Sequence, residues 1–109
     1  MEEKSLFIEF MGESPTVRVL DYLLTERELD FSISDMARNA GVGRTTLYRI
    51  WTNLVERRII IPTRIIGKSK LFKLNLENKA IKKLMEIDDA LVLEDLKKRA
   101  ESQKIKVVA

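Results

Sequence analysis

The sequence predicts an α+β fold, mainly α, on three observations. Residues 33–54 (ISDMARNAGVGRTTLYRIWTNL) have the spacing of a short helix, a glycine turn and a longer helix, the pattern of a helix-turn-helix. Residues 59–76 then leave the helical period for β-branched and alternating apolar residues on either side of Gly67, as in a two-stranded hairpin. The charge is also divided unevenly. Residues 1–33 carry three basic and eight acidic side chains, residues 34–75 nine basic and two acidic, and residues 76–109 eight basic and seven acidic. The balances are −5, +7 and +1, so a polyanion meets the middle of the chain first.

The first element is ambiguous. Leu6, Ile8 and Phe10 alternate like a strand, whereas Leu6/Phe10 and Phe7/Met11 are spaced like a helical turn. Five large apolar side chains are seldom left in water, so this arm is expected to pack on the domain or on a second subunit. Ser14-Pro15 is a strong helix start, a capping hydroxyl followed by a ring that presets φ. Val17, Leu20, Leu23 and Leu24 supply the inner face of a helix expected to end near Glu28. Residues 30–33 read as a short extended piece, with Ser32 or Ser34 capping the next helix.

Within residues 33–54, Met36, Ala37 and Ala40 share one face of the first helix, and Ala37 is small enough for a second helix to cross nearby. Gly41 falls where the chain must turn, a position that favours a residue free to take positive φ. Val42 plugs the turn. Leu47, Ile50, Trp51, Leu54 and Val55 repeat at the i, i+3, i+4, i+7 and i+8 spacing of a buried helical face. The opposite face offers Arg44, Thr45, Tyr48, Arg49, Thr52 and Asn53, and Thr46 stands near enough to the helix start to help cap it.

Ile59–Ile61 begin the first strand, Pro62 marks an edge or a bulge, and Arg64-Ile65-Ile66 continue it. Residues 67–70 form a basic turn, and Phe72, Leu74 and Leu76 line one side of the second strand. Asn78 is placed to cap a final helix carrying Ile81, Leu84, Met85, Leu91, Val92 and Leu96, expected to reach about Ser102. Asp88 and Asp95 interrupt any strict heptad. Residues 105–108 suit either a frayed end or a short strand. The apolar stripe is longer than one small domain needs. That excess points to a subunit interface built from Leu6, Phe7, Phe10, Ile81, Leu84, Leu91 and Leu96; the alternative is that the helix folds back on its own core.

Residues 33–54 resemble the helix-turn-helix of winged-helix transcription regulators, with Ala37, Gly41 and the later apolar positions matching. The order of elements, a helix-turn-helix followed directly by a hairpin with Lys68 and Lys70 at its tip, is the winged order. LNLEN followed by Ile81, Lys82, Lys83 and Leu84 is similar to the wing exit of archaeal MarR-like and ArsR-like regulators, which often have Pro where this chain has Lys79. The resemblance implies a winged helix-turn-helix, a three-helix core with a β-hairpin wing, plus a C-terminal dimerisation helix. Its divisions would be an N-terminal apolar arm (1–12), a DNA-binding domain (13–76) and a C-terminal helix (77–109).

The function implied is a sequence-specific double-stranded DNA-binding transcription regulator, a homodimeric repressor on a palindromic operator. Its recognition helix, residues 44–57, would enter the major groove, where Arg49 suits guanine O6 and N7. Arg44, Thr45, Tyr48, Thr52 and Asn53 would reach neighbouring base edges or phosphates, and Ser34 and Arg38 would hold the backbone. On the wing, residues 64–70, the analogy gives Arg64, Lys68, Ser69 and Lys70 a minor groove or its phosphates. Other functions of the same fold are a protein-interaction module and a plasmid or replication DNA-binding protein.

Composition narrows the remaining classes. The chain has no Cys and no His, which excludes a disulfide framework, thiolate or imidazole metal sites and histidine-based catalysis. Asp88, Asp89, Glu94 and Asp95 lack calcium-loop spacing. GVGRTT lacks the Gly-Lys-Ser/Thr ending of a phosphate loop. The expectation is therefore no enzyme, no cofactor and no metal, with any small-molecule effector unspecified. No apolar run is long enough for a membrane span and the N-terminus lacks signal-peptide features, so a cytoplasmic location is expected. Abundant Lys, Glu and Ile without Cys resembles a thermophilic archaeal composition.

Overall fold

The computed structural model describes residues 4–108, with side chains through Ser102. Its elements are α1 (Leu6–Met11), α2 (Pro15–Thr25), α3 (Ile33–Ala40), α4 (Arg44–Glu56), β1 (Ile60–Ile66), β2 (Ser69–Leu74) and α5 (Lys79–Val108). The ambiguous arm is a helix. Ser5 settles the choice by accepting the Ile8 N–H at 3.1 Å while its hydroxyl donates to Asp21 at 2.8 Å. The helix turns Phe7 inward, where it is 1% exposed.

Ser14 caps α2 through the Val17 N–H, with Pro15 in its first turn. The helix stops at Thr25, short of the expected Glu28, because residues 26–28 turn. Val19, not singled out by periodicity, is fully buried beside Leu23 and Leu24, while Val17 and Leu20 flank the core. The expected extended piece shrinks to one residue. Phe31 exchanges both backbone hydrogen bonds with Phe72, each 2.8 Å, and Ser32 then caps α3. That cap is reciprocal: Ser32 accepts the Asp35 N–H and Asp35 accepts the Ser32 N–H.

Gly41 ends α3 in the left-handed region at φ 68°, ψ 38°. A Cβ there would meet Arg18 Nη1 at 3.6 Å, an ordinary contact, so the preference for glycine is one of backbone conformation rather than space. Helix α4 begins at Gly43 without a side-chain cap, so Thr46 does not cap it. Leu47, Trp51 and Leu54 are buried and Ile50 half-buried, as their spacing predicts, but Val55 is 39% exposed. The chain reverses just beyond it at Arg58 (φ 56°), and the side chain buried at this end of the domain is Ile60.

β1 and β2 pair antiparallel, with Ile60 opposite Leu74 and Ile66 opposite Ser69. The register slips between Pro62 and Arg64, leaving Thr63 as the extra residue of a bulge where proline has no N–H to give the ladder. Trp51 stacks edge-to-face on Phe72 at 5.1 Å and on Phe31 at 6.3 Å, joining α4 to the base of the hairpin.

Asn78 caps α5 through the Ile81 N–H at 3.1 Å and donates to the carbonyls of Arg57 and Arg58, each at 3.1 Å. One amide thus ties the start of α5 to the end of α4. Ile81 is 1% exposed and Leu84 and Met85 pack beside it. Phe7 and Ile81, expected at a subunit interface, are instead part of one continuous core with Leu47 and Trp51, so they offer nothing to a partner without unpacking the monomer. Further along, Arg27 meets Asp88 at 3.3 Å and Asp89 at 3.0 Å. Beyond that pair the helix continues to Val108, past the expected Ser102, and residues 105–108 are helical rather than strand. Val92, Leu93 and Leu96 on this stretch are 44%, 54% and 57% exposed, and Phe10 of α1 is 63% exposed.

Candidate nucleic-acid interface

The outer face of α4 is set by what its inner face must do. With Leu47, Trp51 and Leu54 turned into the core, residues 44, 45, 48, 49, 52 and 53 fall on the opposite side, and all six are exposed. Tyr48 is 51% exposed, so it lies open rather than against the hairpin. Arg44 donates to the Tyr48 hydroxyl at 3.4 Å one turn away, and Arg57 donates to Asn53 Oδ1 at 2.9 Å. Both contacts are between exposed groups and leave the guanidinium charges unneutralised.

Charge pairing divides the basic side chains into two sets. Among the described residues, Arg38 pairs with Asp35 at 2.8 Å and Arg64 with Asp30 at 2.8 Å. Arg44, Arg49, Arg57, Arg58, Lys68, Lys70 and Lys73 have no acidic partner among them. The cations outside this region are mostly paired: Lys4 and Arg18 with Glu13, Arg27 with Asp88 and Asp89, Lys98 with Glu94 and Arg99 with Asp95. Seven cations on α4, its exit and the hairpin are thus left unneutralised among the described residues.

The sequence-predicted site residues lie on α4, α3 and the hairpin. Arg44, Thr45, Tyr48, Arg49, Thr52 and Asn53 share the outer face of α4. Ser34 and Arg38 are exposed on α3, with Arg38 drawn to Asp35. Lys68, Ser69 and Lys70 stand exposed at the hairpin tip, where Gly67 takes φ 60° and Lys70 lies 5.6 Å from the Phe72 ring. Arg64 is tied to the segment before α3. Its Nε donates to Asp30 Oδ2 at 2.8 Å and its Nη2 to Oδ1 at 3.3 Å, while Thr63 donates to Oδ2 at 3.0 Å. The guanidinium, aided by Thr63, holds the Asp30 carboxyl below its ordinary range, and the carboxylate raises Arg64 in turn. Adjacent residues 30 and 31 thus grip both strands, Asp30 through β1 and Phe31 through β2.

Two further polar ties brace the helix pair. Arg18 on α2 donates to the Gly41 carbonyl at 2.9 Å and pairs with Glu13 at 2.8 Å. Glu13 also meets Lys4 at 3.2 Å, and the two cations, Arg18 first, hold its carboxyl below the usual range. Asp35 is lowered chiefly by the Ser32 N–H and hydroxyl. Sequence spacing could not reveal the Arg18–Gly41 and Asp30–Arg64 contacts, which join residues 23 and 34 positions apart.

A three-helix unit, α2 to α4, followed directly by the β1–β2 hairpin is a winged helix-turn-helix fold. No protein-family model and no curated protein matches the sequence. Solved structures do match in fold. MepR, a transcription regulator of the Staphylococcus aureus multidrug efflux pump MepA, aligns with TM-score 0.62 at 16% identity over 92% of this chain and 76% of its own. The antimony-specific transcriptional repressor AntR aligns with TM-score 0.57 at 16% identity over 84% and 78%. The S. aureus MepR–DNA complex aligns with TM-score 0.57 at 15% identity, covering 95% of this chain and 86% of that one. The chain shares the winged-helix fold of these structures and has a long C-terminal helix.

Proposed function

We propose that this chain is a sequence-specific double-stranded DNA-binding transcription regulator that acts as a homodimeric repressor. The observation that carries the proposal is a set of seven cations on the recognition helix, its exit and the wing that have no acidic partner among the described residues. A surface that leaves most of its positive charges unneutralised is suited to phosphates. The MepR–DNA complex and the repressor AntR support the reading as structures of the same fold.

In the proposed complex α4 lies in the major groove. Arg44 and Arg49 address base edges or phosphates, with Thr45, Tyr48, Thr52 and Asn53 beside them, while Ser34 and Arg38 hold the backbone. The wing reaches the adjacent minor groove through Lys68, Ser69 and Lys70. Dimerisation would use apolar residues of α1 and the distal part of α5, the exposed Phe10 and Leu96 and the half-buried Leu91, with Leu6 and Leu84 at its margin. Two recognition helices would then meet half-sites about 34 Å apart on one DNA face.

Selection from a random duplex pool, followed by sizing of the complex, tests this. The proposal expects an enriched inverted repeat with half-sites about 10 base pairs apart and two chains per duplex. It also expects a preference over scrambled duplex of about a thousandfold or more. Recovery of no common sequence would refute sequence-specific regulation.

A further inference from the structure

The wing tip has an unusual make-up for a segment that addresses a polyanion. Ile65 and Ile66 are 69% and 55% exposed, and they stand opposite Lys70 and Ser69 in the ladder, beside Lys68. Arginine is the side chain that ordinarily suits a narrow minor groove, because its charge meets the enhanced negative potential there. The arginine on this hairpin is held back: Arg64 spends Nε and Nη2 on Asp30, which also fixes the bulge residue Thr63. Nearer the turn, the exposed side chains are two large β-branched hydrocarbons and two lysines.

We propose that the wing of this chain enters the DNA minor groove as an apolar wedge, with Ile65 and Ile66 against sugars and base edges and Lys68 and Lys70 on the flanking phosphates. Arg64 acts as a strut from Asp30 that sets the angle of the hairpin. The inference rests on the DNA-binding reading and deepens it. Apolar side chains partly unstack base steps and bend the duplex, so recognition at these positions depends on how readily the sequence deforms. Flexible pyrimidine–purine steps under the wing are therefore preferred to stiff A-tracts. Charge complementarity selects this occupant: lysines flank the isoleucines, and no acidic residue lies between Thr63 and Leu76 to repel phosphates.

Three variants of the full chain separate the roles by their salt dependence on one selected duplex. Ile65→Thr/Ile66→Thr retains β-branching at exposed positions, so the fold should survive. It should lower affinity about tenfold or more at every salt concentration with an unchanged log–log slope, because the lost contact is apolar. It should also reduce the bend read by end-to-end energy transfer. Lys68→Ala/Lys70→Ala should make the slope shallower by about 1.8, the share of two phosphates. Arg64→Ala should leave the slope unchanged and speed amide exchange across the hairpin of the free protein. An Ile65→Thr/Ile66→Thr protein with wild-type affinity and bend overturns the proposal, as does one that changes only self-association. A slope made shallower by about 0.9 in Arg64→Ala overturns the strut. Failure of the wild-type protein to bind any duplex would instead sink the DNA-binding reading itself, an outcome visible before any variant is compared.

Discussion

Asn78 carries three contacts that a single substitution can dissect. Its Oδ1 caps α5 through the Ile81 N–H, and its Nδ2 donates to the carbonyls of Arg57 and Arg58 just past the end of α4. An N-cap is worth about 1 kcal/mol. Each exposed amide–carbonyl bond adds about 0.5 kcal/mol, the low end of the net range, because water competes for it. Asn78→Ala should therefore destabilise the protein by about 2 kcal/mol, lowering the melting temperature by about 10 °C for a chain of this size. Asn78→Ser keeps a capping oxygen but lacks the amide donor, and should lose about 1 kcal/mol. Urea unfolding at fixed protein concentration, with the slope checked for constancy, measures both. The two variants matching wild type within about 0.5 kcal/mol, or Asn78→Ser falling as far as Asn78→Ala, would refute the account of this junction.

Other outcomes follow from the same packing and electrostatics. Gly41→Ala should cost about 1 kcal/mol from its positive φ alone, since the added Cβ meets Arg18 at an ordinary distance; a thermal melt checks it, and a loss several times larger would indicate a clash. Phe7→Ala should cost about 3–5 kcal/mol like any core phenylalanine, despite its place near the chain start, as read by denaturant midpoint. Glu13, Asp30 and Asp35 are held below their ordinary values, so the stability they contribute is complete above the unfolded carboxylate range and lost as pH falls below about 4. Asp88, raised by burial against the pull of Arg27, acts in the opposite sense: its contribution is present at low pH and lost as pH rises through its folded value. Asp30→Asn should therefore flatten the acid limb of a stability–pH profile and Asp88→Asn should steepen it.

Much of the architecture is legible because local rules suffice for it. Ser14-Pro15, Gly41, Asn78 and the break at Pro62 each mark a boundary through one residue's backbone chemistry, and the structure places helix start, left-handed turn, cap and bulge there. The i, i+3, i+4 spacing through Leu47, Trp51 and Leu54 likewise gives the outer face of α4 by subtraction. Where the sequence is less informative, the reason is distance along the chain or shortness of the element. Six residues of α1 fit two periods equally well, and a hydrogen bond from Ser5 to Asp21 decides between them. Phe7 and Ile81 read as surplus hydrophobes because no local pattern says that α1 and α5 converge on one core. The pairing of Arg64 with Asp30 escapes a local reading because Asp30 lies 34 positions earlier, before the helix pair.

The central claim is that the unpaired cations of α4 and the wing meet duplex DNA. Its most direct test is the salt dependence of binding, measured by anisotropy on a duplex from the gene's own upstream region and on a scrambled one. Neutralisation of about six phosphates predicts log affinity falling against log salt with a slope near −5, together with tight preference for one duplex. Binding of comparable strength to both would leave a general DNA-binding protein in place of a specific regulator. Affinity absent, or indifferent to salt, on every duplex tried would contradict the claim outright.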